Sequence, residues 1–269
     1  MSLYDQNRRA WDRMARAGHA LATPATEDDL RNPLKRVDEI GWLGKSIRGQ
    51  RVLCLGAGGG RHSALYTAAG AVVTVVDLSP GMLELDRQVA AERKFDVRLV
   101  EANMTSMPML DESEFDIVIQ PVSTCYVDDL PAVYREVARV LRPGGLYISQ
   151  HKQPMNLQAS LEPSQGRYVI ELPYLGNLAA AAPTTPNRLR ESGAREIIHS
   201  LQSLLGGMCR AGFSIEDLTE PSHGKLDQAA GSFAHRCAFI PPYLRVKARR
   251  NSNSEIPRPT ASSLWLGTE

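Results

Sequence analysis

One stretch of the sequence, residues 51–80, limits the folds available to this chain more than any other. It contains two short apolar runs, Arg51–Leu55 and Val72–Val76, which have the aliphatic and β-branched composition of buried parallel strands. Four glycines follow the first run within Gly56–Gly60, three of them alternating as Gly56, Gly58 and Gly60, and Asp77 ends the second run. The order of strand, glycine turn, helix, strand and acid predicts an α/β fold with a ligand site at the ends of its strands.

The spacing of the glycines bears on the kind of ligand. Glycine has no Cβ, so the backbone of the turn can approach a ligand closely. Asp77 lies 21 residues after Gly56 and could accept hydrogen bonds from two ribose hydroxyls, as either a nicotinamide cofactor or S-adenosylmethionine would require. A dinucleotide-binding G-x-G-x-x-G pattern would place its third glycine at position 61, where this chain has Arg61. The observed G-x-G-x-G pattern therefore disfavours the nicotinamide cofactor.

Strands and helices are expected to alternate beyond this stretch. The predicted elements are a helix at about 80–93, strands at Val97–Glu101 and Phe115–Gln120, a helix from Asp128 or Asp129 to Leu141, and a strand at Leu146–Gln150. The turn between the last two is Leu141–Gly145, "LRPGG". Ligands of open α/β sheets bind outside the carboxyl ends of the strands, so Gln120–Tyr126 is expected to form part of the active-site rim.

The glycine turn, Asp77 and the "LRPGG" turn together resemble the class I S-adenosylmethionine-dependent methyltransferases. The resemblance covers roughly residues 40–250 and is to the small-molecule enzymes similar to those of ubiquinone biosynthesis. It implies an α/β fold with a Rossmann-like seven-stranded sheet, an antiparallel last strand, helices on both faces and an insertion after strand five. It also implies a small-molecule methyl acceptor and no metal.

The resemblance further implies where the cofactor lies. Its methionine end would be near Gly56–Gly60, its ribose on Asp77, and its adenine against Met82. The matching residue for the family's adenine-binding acid is Asn103, whose amide oxygen can still accept a hydrogen bond. The complete implied set is Gly56, Ala57, Gly58, Gly60, Asp77, Leu78, Met82, Asn103, Met104 and Gln120.

We expect one methyltransferase domain over residues 1–250 and a flexible tail at 251–269. Residues 152–195 are rich in proline and interrupt the pattern, and long irregular insertions of this kind are often lids. In the resembling family the insertion shapes the substrate pocket. The candidate substrate-binding residues are Tyr126, Tyr168 and Tyr174.

Other segments carry weaker patterns. The first helix, at 4–20, would place Tyr4 and Trp11 over the cofactor, as similar N-terminal helices do in the resembling family. The remaining predictions are helices at Asn32–Ile47 and Glu196–Ala211, and strands at Arg167–Leu172, Phe213–Leu218 and Phe233–Arg249, the last interrupted by Pro241-Pro242.

Two histidines are candidates for a general base. His151 directly follows strand five, and His199 lies near the start of the helix after the insertion. Histidine titrates near neutral pH, so either residue could remove a proton from a hydroxyl or ammonium acceptor. An acceptor that is already a neutral amine or an acidic oxygen would need no base. Oxygen, nitrogen and carbon acceptors all stay open at this point.

Composition narrows the alternatives. A net charge of +1 gives no electrostatic case for nucleic acid or an anionic membrane, and the four scattered cysteines form no metal-binding pattern. With no apolar leader in the sequence, we expect a cytoplasmic protein of undetermined oligomeric state. A nicotinamide-dependent oxidoreductase is disfavoured by Arg61, which stands where its third glycine would be. A non-catalytic cofactor-binding protein would have no use for the large insertion.

Overall fold

The computed structural model describes residues 1–174, 178–180, 190–191 and 193–252, which form a seven-stranded sheet flanked by helices and a small two-stranded ribbon. The strands of the sheet are β1 (Arg51–Leu55), β2 (Val72–Asp77), β3 (Val97–Glu101), β4 (Phe115–Gln120), β5 (Leu141–Lys152), β8 (Phe213–Thr219) and β9 (Tyr243–Arg250), and those of the ribbon are β6 (Leu178–Ala179) and β7 (Ile197–Ile198). The α-helices are α1 (Leu3–Arg16), α2 (Pro33–Val37), α3 (His62–Ala68), α4 (Pro80–Arg93), α5 (Leu130–Val140), α6 (Pro154–Gln158), α7 (Gly207–Arg210) and α8 (Phe233–Cys237).

The strand order of the sheet is β3-β2-β1-β4-β5-β9-β8. β1 is parallel to both β2 and β4, whereas β9 is antiparallel to β5 and β8. This confirms the predicted Rossmann-like sheet with an antiparallel last strand between strands five and six. The order reverses between β1 and β4, so the loops that follow these two strands meet at one edge and can enclose a ligand.

The central strand β1 is buried on both faces. Leu53 and Leu55 pack on one face with α5, and Val52 and Cys54 pack on the other with α3. Each fully buried aliphatic side chain of this size stabilises the fold by about 1.5–3 kcal/mol. The apolar runs that the sequence shows here are therefore explained by helices on both faces of the sheet.

Side-chain caps fix the starts of the two main helices at the strand ends. The Ser79 hydroxyl accepts a hydrogen bond from the backbone N–H of Met82 at 3.1 Å, and the Asp129 carboxylate accepts one from Ala132 at 3.0 Å. These caps begin α4 and α5 as predicted. Both helices therefore start immediately beside the edge where the ligand site is expected.

The helix predicted at Asn32–Ile47 is wrong over most of its length, because α2 ends at Val37. The carboxylate of the next residue, Asp38, accepts hydrogen bonds from the backbone N–H groups of Trp42 at 2.8 Å and Leu43 at 2.6 Å. These bonds replace the helical pattern and turn the chain.

The helix predicted at Glu196–Ala211 begins later than expected. Ile197–Ile198 instead pairs antiparallel with β6. A π-helical turn at Gln202–Gly206 then leads into α7. A Cβ on Gly207 would lie 2.9 Å from the Tyr134 ring, so glycine allows this helix to pack closely on α5.

The strand predicted at Phe233–Arg249 is also corrected. Its first part is the helix α8, which Ser232 caps, and Pro241-Pro242 separates it from β9. Strand five starts at Leu141, five residues earlier than predicted, because the "LRPGG" turn is part of β5. The Arg167–Leu172 segment makes only isolated bridges, at Arg167 and Ile170, in the described part of the chain.

Parts of two predictions fall outside the described residues. They are most of the proposed tail, residues 253–269, and residues 175–177, 181–189 and 192 of the insertion.

Arg236 in α8 holds the start of the insertion against the C-terminal part of the chain. It is fully buried, and its guanidinium donates to the backbone oxygens of Ser160 at 2.9 Å, Asn156 at 2.9 Å and Ala159 at 3.1 Å, and to the Asn156 side chain. Burial lowers its pKa below the usual arginine value. Within the described residues it has no carboxylate partner, so neutral carbonyl groups satisfy this charge.

We expect Arg236→Lys to destabilise the protein by about 2–4 kcal/mol, because an ammonium group cannot reach this fork of carbonyl oxygens. Urea unfolding followed by circular dichroism measures the change. Arg210→Lys, at an exposed arginine of α7, is the matched control. Equal stability of the two variants would contradict the anchoring role.

Candidate active site

The loop after β1 is shaped by hydrogen bonds from its own backbone. The N–H of Gly56 donates to the Val76 carbonyl at 2.7 Å, and the N–H of Gly58 donates to the Asp77 carboxylate at 2.9 Å. Gly56 has a φ of +57°, a conformation that side chains disfavour. A Cβ on Gly58 would lie 2.8 Å from the Met82 Cβ and 3.0 Å from Asp77. Glycine is therefore required at position 58 by packing inside the protein as well as by any ligand.

Asp77 is at the carboxyl end of β2, and its carboxylate points into the loop. One oxygen accepts from Gly58, and the other accepts from the backbone N–H of Ser79 at 2.9 Å. Burial raises the pKa of Asp77 above its usual value. An ionised carboxylate offers about four acceptor positions, so two further hydrogen bonds to a ligand are possible.

A second carboxylate, Asp86, supports the loop from beneath. It lies in α4, is fully buried, and accepts from the N–H groups of Gly59 at 2.9 Å and Gly60 at 3.0 Å and from the Ser63 hydroxyl. Burial raises its pKa to about 6. Asp86 was not among the residues predicted for the site. The sequence does carry a sign of its role. Asp86 lies on the same helix face as Leu83 and Val89, at a position where an apolar residue would be expected.

The loop opens into a cavity of about 560 Å³, within the range of small-molecule sites. Nine of the ten predicted cofactor residues line it, namely Gly56, Ala57, Gly58, Asp77, Leu78, Met82, Asn103, Met104 and Gln120. The tenth, Gly60, is not among the lining residues and donates to Asp86. Gln120 also stabilises the rim, since its amide donates to the Ser123 hydroxyl at 3.0 Å and accepts from the Tyr147 hydroxyl.

Helix α1 covers this cavity, as predicted. Tyr4 and Trp11 line it, with the Trp11 ring edge-on to Tyr126 at 5.5 Å between centroids. The Tyr4 hydroxyl donates to the Asp128 carboxylate at 2.6 Å. These contacts hold the aromatic side chains of α1 above the strand ends.

Two polar side chains of α1 form hydrogen bonds with other parts of the molecule. Asn7 donates to the carbonyl oxygens of Tyr126 and Arg195, each at 3.1 Å, and accepts from the N–H of Arg195 at 2.7 Å. Asp12 accepts from the Ser79 hydroxyl at 2.6 Å and from the N–H of Gly81 at 3.0 Å. The helix therefore joins the end of the insertion to the start of α4.

The predicted bases do not lie at the cavity. His151 is fully buried between the hydroxyls of Thr124 and Ser149, each at 2.8 Å, and burial lowers its pKa to about 3. The Nε2–H of His199 donates to the carbonyl oxygens of Thr124 at 3.1 Å and Val127 at 2.9 Å, and burial lowers its pKa. Neither lines the cavity, so the geometry does not support their predicted role in proton removal. Both hold the turn that carries Tyr126.

The three predicted substrate tyrosines are not brought together. Tyr126 lines the cavity. Tyr168 packs away from it against His235 and Phe239, with ring centroids 5.9 Å and 5.5 Å away. Tyr174 is mostly exposed, and its hydroxyl accepts from the N–H of Leu201 at 2.9 Å. Only Tyr126 of the three is therefore placed to touch a ligand in this cavity.

The cavity continues past the tip of β4 toward β5 and β9. Polar and aromatic residues that were not among the predicted site residues line this side, namely Trp42, Gln150, Glu191, His223, Tyr243 and Arg245. They come from distant parts of the chain, and the antiparallel pairing of Gln150 with Arg245 brings two of them side by side. These residues line the same cavity as the glycine loop, and we call their part of it the compartment beyond β4, or the acceptor compartment.

Among the residues that the structure describes, no group of three His, Cys, Asp or Glu side chains is arranged to hold a metal ion. None of the described helices is both long enough and apolar enough to cross a membrane.

Comparison with known proteins identifies the class. A family model described as a methyltransferase domain matches residues 53–149, which include the glycine loop, Asp77 and the "LRPGG" turn. The chain is 28% identical over 242 residues to the uncharacterized methyltransferase YbaJ of Bacillus subtilis, covering 84% of this chain and 94% of that one. It is 31% identical over 145 residues to a demethylmenaquinone methyltransferase of Tropheryma whipplei, covering 54% of this chain and 59% of that one.

A solved structure shows the same fold. It is an S-adenosylmethionine-dependent methyltransferase from Mesorhizobium loti, with a TM-score of 0.61, 24% identity and coverage of 82% of this chain and 100% of that chain. The sheet and the glycine loop define a Rossmann-like fold with a methyltransferase domain at residues 53–149. Along most of its length the chain is similar to class I S-adenosylmethionine-dependent methyltransferases.

The role of Asp86 gives a pH-dependent prediction. A carboxylate that accepts from two glycine N–H groups loses this capacity as the pH falls through its pKa of about 6. We therefore expect the affinity for S-adenosylmethionine to fall below pH 6, and Asp86→Asn to lower it about tenfold at pH 7.5 and to remove that pH dependence. Isothermal titration calorimetry between pH 5 and 8 measures both effects.

The control is Asp96→Asn, at an exposed acid just after the same helix. Hydrogen exchange at Gly59 and Gly60 gives a second, local measurement, since these amides should exchange faster in Asp86→Asn alone. Unchanged exchange and unchanged affinity would contradict the supporting role of Asp86.

Proposed function

We propose that this methyltransferase acts on a small-molecule acceptor that binds in the compartment beyond β4. The observation that carries the proposal is the shape of the site, because one roofed cavity joins the glycine loop to the compartment beside Tyr126 and Tyr243. A roof of this kind suits a ligand that is enclosed and does not suit an extended polymer. The similarity to a demethylmenaquinone methyltransferase supports the same acceptor class.

The residues present fit S-adenosylmethionine. Asp77 keeps acceptor capacity for the ribose hydroxyls, and Gly58 leaves room where a Cβ would approach the same carboxylate to 3.0 Å. Met82 offers an apolar contact and Asn103 a hydrogen-bonding group for the adenine, both at the cavity wall. When bound, the cofactor supplies an electrophilic methyl group.

The chain contributes alignment and exclusion of water. Gln120 and Ser123 stabilise the rim at the tip of β4, while Tyr4 and Trp11 close the cavity above it. Holding an acceptor and a methyl group in line can lower the barrier by about 7–11 kcal/mol relative to the reaction of separate molecules. Positioning of the two reactants is therefore the largest contribution that this site makes to lowering the reaction barrier.

An acceptor screen tests the proposal. We expect one or more small phenols, hydroquinones or amines to gain the mass of one methyl group when incubated with the protein and S-adenosylmethionine, with S-adenosylhomocysteine formed in equal amount. Liquid chromatography with mass spectrometry measures both products. Methylation confined to proteins or nucleic acids in the same screen would overturn the small-molecule assignment.

The ribose contact has its own test. We expect Asp77→Ala to weaken S-adenosylmethionine binding by about ten- to a hundredfold, equivalent to roughly 1.5–3 kcal/mol, because charge-assisted hydrogen bonds are lost. Some stability should also be lost, since Gly58 and Ser79 each lose a partner. Calorimetry measures the affinity, and Asp227→Ala, at an exposed acid, is the control. Wild-type affinity in a folded Asp77→Ala protein would exclude this contact.

A further inference from the structure

Four charged side chains form a buried network beside the acceptor compartment. Lys152 at the end of β5 contacts Glu191 at 2.5 Å and also contacts Glu196, and Arg190 contacts Glu196 at 2.8 Å. Their side chains are between 2% and 12% exposed. Removing charges from water costs several kcal/mol per ion unless they are well paired. The pairing of two cations with two carboxylates meets that condition.

One member of the network differs from the other three. Glu191 lines the cavity, whereas Lys152, Arg190 and Glu196 are not among the lining residues. The phenol of Tyr126, which lines the same cavity, interacts with the Glu191 carboxylate. Of the four charged groups, only the Glu191 carboxylate therefore lines the cavity, and the other three lie outside the cavity wall.

A short series of contacts locates this carboxylate relative to the glycine loop. The Ser123 side chain would lie 2.9 Å from a Cβ on Gly56. The N–H of Tyr126 donates to the Ser123 carbonyl at 3.0 Å, and Tyr126 in turn interacts with Glu191. Glu191 thus contacts a tyrosine on the turn that follows β4, and Ser123 on the same turn lies against the glycine loop.

The surroundings keep Glu191 ionised. Burial alone would raise its pKa, but the charge and the hydrogen bond of Lys152, together with Tyr126, hold the pKa of Glu191 below its usual value. The same ion pair raises the pKa of Lys152 against the effect of burial. At neutral pH the cavity therefore contains a fixed negative charge that can accept a proton or a hydrogen bond.

We propose that Glu191 is the group that receives the proton of the methyl acceptor, and that the acceptor therefore presents an O–H or N–H group to Glu191. This inference rests on the proposed function. The acceptor's oxygen or nitrogen bonds to the methyl carbon, the electron pair of the carbon–sulfur bond stays on sulfur, and the acceptor's proton passes to the Glu191 carboxylate. Charge balances, because the cofactor loses its positive charge as the carboxylate loses its negative one.

A binding experiment tests the placement of Glu191 before any acceptor is known. Sinefungin carries an ammonium group where S-adenosylmethionine carries the transferred methyl, and S-adenosylhomocysteine carries nothing there. We expect the wild-type protein to bind sinefungin on the order of tenfold more tightly than S-adenosylhomocysteine, as a nearby carboxylate requires. Glu191→Gln should remove this preference and leave the affinity for S-adenosylhomocysteine unchanged.

Glu196→Gln is the matched control. It removes the other carboxylate partner of Lys152 without changing the cavity wall, so it should keep the sinefungin preference. Glu191→Asp keeps a carboxylate for the ion pair with Lys152, but its side chain is one methylene shorter. We expect this variant to fold and to show a smaller preference for sinefungin over S-adenosylhomocysteine. Thermal unfolding checks the fold of each variant.

The outcomes separate the two proposals. No sinefungin preference in the wild-type protein, or an equal loss in Glu191→Gln and Glu196→Gln, would overturn the role of Glu191 while leaving the methyltransferase assignment intact. Failure of the wild-type protein to bind S-adenosylhomocysteine or sinefungin at all would overturn the proposed site and the role of Glu191 with it.

A kinetic measurement completes the test once the screen has supplied an acceptor. Glu191→Gln should lower kcat about a hundredfold, within the usual contribution of a general base, with the KM for S-adenosylmethionine unchanged. Full turnover by a folded Glu191→Gln protein would overturn the inference.

Discussion

The site depends on hydrogen bonds between two carboxylates and the backbone of one loop. Asp77 accepts from Gly58, and Asp86 accepts from Gly59 and Gly60. Three successive N–H groups are thereby satisfied by the protein, which fixes the loop without using side chains of its own. A ligand can approach the loop closely because its glycines carry no side chains. The two carboxylates fix the orientation of the peptide groups in the loop.

The rest of the site is assembled around this fixed loop. Asp12 ties α1 to the start of α4, and Asn7 ties it to Arg195 at the end of the insertion. The roof is therefore in contact with both compartments, the one beside the glycines and the one beside Tyr126. The same helix supplies Tyr4 and Trp11 to the cavity wall.

Much of the fold could be predicted because the signals are local. The runs of β1 and β2, the caps Ser79 and Asp129, and the acid at position 77 are each readable from neighbouring residues. The class of enzyme followed from the same features. One error is the helix expected over Asn32–Ile47. Gly41 and Gly44 take positive φ, and Asp38 accepts hydrogen bonds from the N–H groups of Trp42 and Leu43, so the chain turns instead.

The residues of the acceptor compartment could not be predicted, because local patterns do not report contacts between distant parts of the chain. Glu191, Tyr243 and Arg245 reach it through strand pairing and an ion pair with Lys152, and such contacts between distant residues leave no periodic pattern. The two histidines show what residue chemistry leaves out. His151 and His199 are suitable bases by residue type, but both are buried, neither lines the cavity, and both bond to the turn that carries Tyr126. Chemistry alone does not show whether a side chain is accessible.

The position of β9 has a consequence for the order in which the protein forms. The loops that follow β1, β2 and β4 belong to the first half of the chain, so they are available early during synthesis. β9 follows the other described strands in the sequence but pairs with β5 inside the sheet, and it carries Tyr243 and Arg245 to the acceptor compartment. Pairing over such a separation is slow compared with local folding. The acceptor compartment is therefore completed only when β9 has paired with β5, and until then the sheet exposes the edge of β5.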